Sequence, residues 1–426
     1  MAALFPPAKD GAVPVLVLDG GMGTTLQSYP VAQQLDSNLW SSELLKTREG
    51  RETLRDLHSK WIEAGADIVQ TCTYQSSLPL FLPSSGPYSQ ELLDSSLILM
   101  NSAIPLLTEL PLPSSCSHSH SHSDSMSKKP LNSLSLGPFG ASLQPGQEYA
   151  GLYPPPFGPT PSISPSRFAS GQEAFDSIPL PLEIFHTSSS DEASPEDYLS
   201  AWHLLRLRNF SKSPQFKDLS VLSFETVPNL YEARAIRRAM TQFRRETGST
   251  IPFYISFVFP LVGTDTSEER VKLPDQEYKH LESLEEQAPF VIQATFGQPK
   301  DVDTPLVPAD AIGFNCTSPL HCKSVTSILT SSYRSFISSQ PSTTFSSSAP
   351  FFVLYPDGGA VYSVETRTWS HPLGLTDEKW ANLVADAMEI AREGGVWGGV
   401  VGGGCCKSGV GAIGALRREV ERRGWR

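Results

Sequence analysis

Eight short apolar runs, separated by turn residues and helical patterns, most limit what this chain can fold into. They are VLVLD (15–19), ADIVQT (66–71), LNSLSLG (131–137), LSVLSFE (219–225), PFYISF (252–257), AIGFN (311–315), FFVLY (351–355) and WGGVVGG (397–403). Most lack clean alternation of polar and apolar residues, as strands do when a parallel sheet buries both faces. Between several of them apolar residues recur at helical spacing. Ser42 to Ala64 carries Leu44, Leu54, Leu57, Trp61 and Ile62, and Gly65 stops it. Asn229 to Thr247 begins with Asn229 as a cap, and Trp380–Arg392 and Ala412–Arg423 look similar. The alternation predicts an α/β chain folded as a (β/α)8 TIM barrel. A doubly wound open sheet is the rival, because a strand count does not prove closure.

Three low-complexity tracts interrupt the rhythm: 111–129, with SSCSHSHSHSDS; 154–190, rich in Pro and Ser; and 331–349, largely Ser and Thr. Such composition buries too little apolar surface to offset ordering entropy, so they read as solvated, flexible loop insertions in a single domain spanning 1–426. A formal net charge of -12 argues against nucleic acid as a main partner, since phosphate binding needs a basic face. No stretch reaches the ~20 apolar residues that span a bilayer, which gives no membrane partner. The six cysteines are unevenly spaced, and the opening MAALFPPAKDG has no signal-peptide pattern. The expectation is a soluble, cytoplasmic protein with reduced thiols. Oligomeric state is not legible.

Cysteines stand at the ends of two of the strand runs: Cys316 in GFNC, and Cys405 and Cys406 in GGGCC. In a barrel the strand ends form the rim that carries the active site. Three thiolates are a full protein ligand set for a catalytic zinc, which keeps its fourth position for a substrate. Adjacent residues on a regular strand point to opposite faces. For both Cys405 and Cys406 to reach one metal, the backbone must leave the strand, and Gly402, Gly403 and Gly404 supply the conformational freedom. Cys72, Cys116 and Cys322 read as small buried hydrophobes. His118, His120 and His122 alternate with serine in the first tract and read as disordered rather than metal-binding.

Taken together, LDGGMGTTL (18–26), GADIVQTCTYQSS (65–77), SLGPFGASLQPGQEYAG (135–151), FETVPNLYEA (224–233), GFNCTSP (313–319) and GGGCC (402–406) resemble the homocysteine S-methyltransferase family in order and spacing. The resemblance implies a zinc-containing (β/α)8 barrel with Zn2+ held by Cys316, Cys405 and Cys406. It implies that Asp19 and Glu225 hold the amino-acid part of homocysteine, through charge-assisted bonds to its ammonium. Asp19 would serve equally to cap the following turn. Asn315 and Gln75 are further candidates for polar contacts in the pocket, or for satisfying backbone groups. The implied partners are small molecules, homocysteine and a methyl donor, and the product is methionine. Thr73-Tyr74-Gln75 resembles members using S-methylmethionine or S-adenosylmethionine, which favours a sulfonium donor over betaine; Phe139 and Tyr149 could meet it through cation–π contacts, with ordinary packing of the rings an equal reading.

No catalytic residue is expected beyond the zinc-activated thiolate of the substrate. A free thiol of pKa ~8.5 is mostly protonated at neutral pH, and zinc coordination removes that proton. A sulfonium departs as a neutral thioether and needs no general acid. Two stretches depart from the family pattern: Lys407-Ser408-Gly409-Val410-Gly411 after the paired cysteines, and AWHLLRLRNF, which lacks a proline after His203. They leave an alternative, a catalytically silent zinc-binding or thiol-sensing barrel. A zinc hydrolase is a third reading, disfavoured because HExxH is absent.

Overall fold

Every one of the eight apolar runs forms a strand of one parallel sheet. They are β1 (Val15–Val17), β2 (Ile68–Gln70), β3 (Leu131–Leu136), β4 (Val221–Val227), β5 (Phe253–Phe257), β6 (Ala311–Asn315), β7 (Phe351–Tyr355) and β8 (Gly399–Gly402). The computed structural model describes residues 12–32, 39–83, 86–110, 129–160, 167–168, 178–186, 192–262, 270–299, 305–339, 349–363, 368–370 and 373–425. Each strand pairs with its sequence neighbours, and β8 pairs with β1. The ring closes between β1 and β2. Leu18 bridges Ile68, Asp19 N donates to Ile68 O at 3.0 Å, and Asp67 N donates to Val17 O at 2.7 Å. Closure removes the open-sheet rival; the fold is a TIM barrel.

The missing alternation has its expected cause. All five residues of β5, β6 and β7 are buried, one set facing the barrel axis and the other the helices. Leu18, Ile68, Val221, Tyr254, Ala311 and Val353 belong to the smaller core of the interior. A larger core, with Trp61, Phe243, Phe314 and Leu416, lies between strands and helices.

The helices are α1 (Met22–Leu26), α2 (Arg48–Glu63), α3 (Gln90–Asn101), α4 (Ala103–Thr108), α5 (Pro195–Phe210), α6 (Leu230–Thr247), α7 (Leu284–Phe296), α8 (Cys322–Ser339), α9 (Asp377–Glu393) and α10 (Val410–Arg422). Two helix expectations need correction. Ser42–Ala64 is not one helix: a 3-10 segment over Trp40–Lys46 ends at Thr47, whose extended backbone and hydroxyl, accepting from Gly50 N at 3.0 Å, start α2 afresh. Asn229 occupies the cap position of α6 without capping it. Its amide spans Gly151 O and Gln276 N, and the Asp275 carboxylate accepts from Leu230 N instead.

Parts of two tracts read as solvated insertions are built into the fold. Ser331–Ser339 continues α8, with Tyr333 buried against Trp397. Phe157 is buried and stacks on Phe139 at 4.1 Å. Single aromatic residues within polar sequence supply the apolar area that average composition hides. Cys116, His118, His120 and His122 lie outside the described residues. Among the described residues, no helix is long and apolar enough to cross a membrane.

Candidate functional site

The carboxyl ends of the strands enclose a cavity of about 450 Å³ that contains Asp19, Gln75, Glu225, Asn315, Cys316, Cys405 and Cys406 in its wall. Cys316 follows β6, and the vicinal pair follows β8. The sulfurs of all three lie within 4.8 Å of one another, the one such His/Cys/Asp/Glu group among the described residues. Cys316 and Cys405 are joined as a disulfide, with Cα atoms 5.5 Å apart, and Cys406 is free. Tetrahedral zinc with Zn–S of about 2.3 Å would set thiolate sulfurs about 3.8 Å apart, a spacing within the 4.8 Å that encloses the three sulfurs here, so three thiols at these positions fit the ion once the disulfide is reduced.

The glycines before the pair work differently from expectation. None of Gly402, Gly403 and Gly404 takes a positive φ; the left-handed residues are Lys407 (φ 63) and, across the site, Cys316 (φ 48). Glycine is needed for close approach, since a Cβ at Gly403 would lie 2.6 Å from Leu18 Cβ. Gly21 of the DGG turn is tighter still: its Cβ would fall 2.2 Å from Cys405 O. The divergent loop after Cys406 is held largely through its backbone. Lys407 N donates to Thr24 Oγ1 (2.8 Å), Ser408 N to Cys405 O (3.0 Å) and Gly21 N to Ser408 O (3.0 Å). Such bonds do not depend on the identity of the side chains that changed.

Asp19 and Glu225 meet through Gln70 at the end of β2. Gln70 N donates to Asp19 Oδ2 at 2.8 Å, and Gln70 Nε2 to Glu225 Oε1 at 2.8 Å. Asp19 Oδ1 is buried with no hydrogen-bond partner. Burial, with the nearby Glu225 charge adding to it, holds the Asp19 carboxyl well above its ordinary range. Burial also pushes Glu225 up to about 7.

Asn315 lines the cavity but commits its amide to the protein. Its Oδ1 accepts from Thr226 N (2.8 Å) and Ser256 Oγ (2.7 Å), while Nδ2 donates to Thr226 Oγ1 (2.7 Å) and approaches Cys405 Sγ at 3.8 Å. Gln75 Oε1, by contrast, is buried without a partner. Tyr149 reaches the cavity and its hydroxyl bonds to Cys406; burial, with Asp357 nearby, keeps that thiol up at about 12. Phe139 does not reach it. The ring is wholly buried between Phe157, Tyr153 and Trp202, so of the two roles expected for it Phe139 takes ordinary packing and not a cation–π contact.

Among the wall residues given no contact role of their own by the sequence reading are Gln70, Tyr74, Glu148 and Trp40. Gln70 ends a strand as a polar residue, and Tyr74 and Glu148 fall inside quoted motifs; these were available signals. Trp40 carries none, because its φ of 48 and its place in the wall depend on tertiary packing. The described non-glycine residues with positive φ are Trp40, Thr226, Cys316 and Lys407. Three line the cavity and the fourth follows Cys406, so backbone strain is concentrated at the site. No Lys, Arg or His is among the described residues of the wall.

The family model for homocysteine S-methyltransferase matches residues 16–420. Homocysteine S-methyltransferase 2 of Zea mays is 24% identical over 415 residues, covering 97% of this chain and 92% of that protein. Its namesake in Arabidopsis thaliana is 24% identical over 414 residues, with coverages of 96% and 93%. Among solved structures, the metallated form of the homocysteine methyltransferase MmuM from Escherichia coli shares the fold. It superposes with a TM-score of 0.52 at 19% identity, over 95% of this chain and 96% of that one. The chain belongs to the homocysteine S-methyltransferase family.

Proposed function

We propose that this protein transfers a methyl group from a sulfonium donor, S-methylmethionine or S-adenosylmethionine, to the sulfur of homocysteine, forming methionine. The proposed metal is zinc, with Cys316, Cys405 and Cys406 as its ligands. The observation that carries the reading is the meeting of three sulfurs with two buried carboxylates in one cavity whose described wall has no basic side chain. Zinc, when bound, lowers the pKa of the homocysteine thiol while leaving the sulfur nucleophilic. Both Cys316 and Cys405 must be reduced thiols to serve, so the disulfide form is incompetent.

The protein's own groups do the rest. Asp19 Oδ1, unpartnered, and Glu225 receive the ammonium of homocysteine, an interaction strengthened by their burial. Gln70 keeps the two carboxylates at a fixed spacing. Trp40, Tyr74 and Tyr149 offer aromatic surface to a sulfonium, and Glu148, whose Oε2 is buried and unpartnered, adds negative charge. The lack of a cation in the described wall avoids repelling a positive donor. Because the leaving thioether is neutral, no proton donor is required, and the absence of histidine from that wall is chemically consistent. What remains is alignment of sulfur, methyl and leaving group, worth orders of magnitude in rate.

The decisive assay is methionine formation by reduced, zinc-loaded protein with homocysteine and each donor in turn. Product with at least one donor is expected. No product with either, from folded and metal-replete protein, overturns the reading.

A further inference from the structure

Helix α5 turns Arg206 toward the barrel rim, yet this arginine is outside the wall of the substrate cavity. It is 4% exposed, and its guanidinium is spent on main-chain carbonyls. Nε donates to Ser76 O at 2.6 Å, Nη1 to Gly137 O at 2.7 Å, and Nη2 to Thr73 O at 3.0 Å and Tyr74 O at 2.6 Å. The Trp202 ring lies over its other side, 5.2 Å from Cζ. A planar fork of donors suits this task in a way a single ammonium does not.

The carbonyls belong to the turns that follow β2 and β3. Tyr74 and Gln75 lie between the outermost points of Arg206's grip and both line the cavity. Gly137 N also donates to Tyr74 O at 2.8 Å, which locks one turn to the other. From Tyr74 a chain of contacts runs to the sulfurs: its hydroxyl bonds to the Thr226 side chain, Thr226 Oγ1 accepts from Asn315 Nδ2, and that amide nitrogen is 3.8 Å from Cys405 Sγ. One turn earlier on α5, His203 pairs with Glu232 at 3.1 Å. Glu232 in turn accepts from Phe139 N and Tyr153 OH, fixing the other end of the β3 loop.

We propose that Arg206 is a positioning residue for methyl transfer, holding the 73–76 turn so that Tyr74 and Gln75 present a fixed wall to the methyl donor. The inference rests on the function proposed above. Arg206 touches no substrate; it sets the geometry of residues that do. Misplacing such a wall by about 1 Å is enough to lose ~100-fold in rate.

The test is steady-state kinetics and zinc content of R206K, with wild-type protein assayed in parallel using the donor it accepts. Expected is a kcat lower by ~10–100-fold, with zinc stoichiometry and the KM for homocysteine kept within about twofold. Lysine retains the charge but lacks the fork, so a purely electrostatic role would leave kcat unchanged and overturn the inference. Loss of zinc, or a homocysteine KM rising in step with the fall in kcat, would indicate general disruption and also overturn it. R206Q, which keeps a planar donor but too few N–H groups for all four carbonyls, serves if R206K does not fold: kcat should fall with homocysteine KM retained, and wild-type turnover overturns the inference. No methionine from the wild-type protein defeats the proposed function itself; methionine from wild type and undiminished R206K defeats only the role of Arg206.

Discussion

Asp19 and Glu225, from opposite halves of the chain, are tied to one residue: Gln70 donates its backbone N–H to the first and its side-chain amide to the second, each at 2.8 Å. The arrangement holds two carboxyls close together in a buried site, at the expense of their ionisation. Burial pushes Glu225 up to about 7 from an ordinary 4.5, and Asp19 is raised as well. An ammonium binds the ionised forms. Homocysteine affinity should therefore fall as pH drops through 7, by about tenfold between about pH 8 and pH 6 for the Glu225 contribution alone. Stability of the substrate-free protein runs the other way. A carboxyl raised in the folded state favours folding below its ordinary value, and that contribution is lost as pH rises through 7. Calorimetric titration of homocysteine across this range, on wild type and E225Q, checks the point; an undiminished slope in E225Q would remove Glu225 from the ammonium site.

The cysteine trio makes a stricter prediction. Residues that merely support metal ligands cost ~10–100-fold in metal affinity when lost, so a ligand itself should cost more. Cys316→Ser, Cys405→Ser and Cys406→Ser are each expected to lower turnover by more than ~100-fold and to lower bound zinc. Metal analysis of the purified variants under reducing conditions, beside their rates, is the measurement. Full activity in any one of them displaces that residue from the proposed site.

How much of this was legible in the chain depended on what each residue's role requires. AIGFN and FFVLY are strands with the limits their sequences suggest, because continuous apolar runs have few other uses at that length. Closure was not legible, since it rests on backbone pairing of Leu18 with Ile68. The cysteines and carboxylates stood out as chemical oddities at strand ends. Trp40 did not, for an aromatic residue reads alike in a core and in a cavity. Gly402, Gly403 and Gly404 were recognised as necessary for the wrong reason, because sequence shows the lack of a Cβ but not what would collide with one. Arg206 sits within a helix whose burial on several sides blurs its pattern, and its carbonyl partners are far away in sequence.

Asn315 tests whether the sulfurs need support beyond the metal. Its amide joins Thr226, which has a φ of 59, to Ser256 and to Cys405 Sγ. Asn315→Ala should leave Thr226 N and the Ser256 hydroxyl without partners, costing about 1–3 kcal/mol of stability. It should also weaken zinc affinity by ~10–100-fold. Competition with a chelator, alongside denaturant unfolding, separates the two effects. Normal zinc affinity in a destabilised variant would confine Asn315 to a structural role.

Gly21→Ala offers a purely steric probe. The added methyl would fall 2.2 Å from Cys405 O, against backbone rather than a flexible side chain, so either the DGG turn or the cysteine loop must shift. Overpacking of this kind costs about 1–3 kcal/mol. Here the displaced atoms also carry Cys405 and Asp19, one on the side of the cavity proposed for the metal and one on the side proposed for the ammonium. Zinc affinity and homocysteine affinity should therefore decline together in this single variant, whereas Glu225→Gln affects only the second. Chelator competition and homocysteine titration on the same preparation give both numbers. A variant that loses stability but keeps both affinities would show that the turn and the cysteine loop move as one body, and that their close contact does not set the site's geometry.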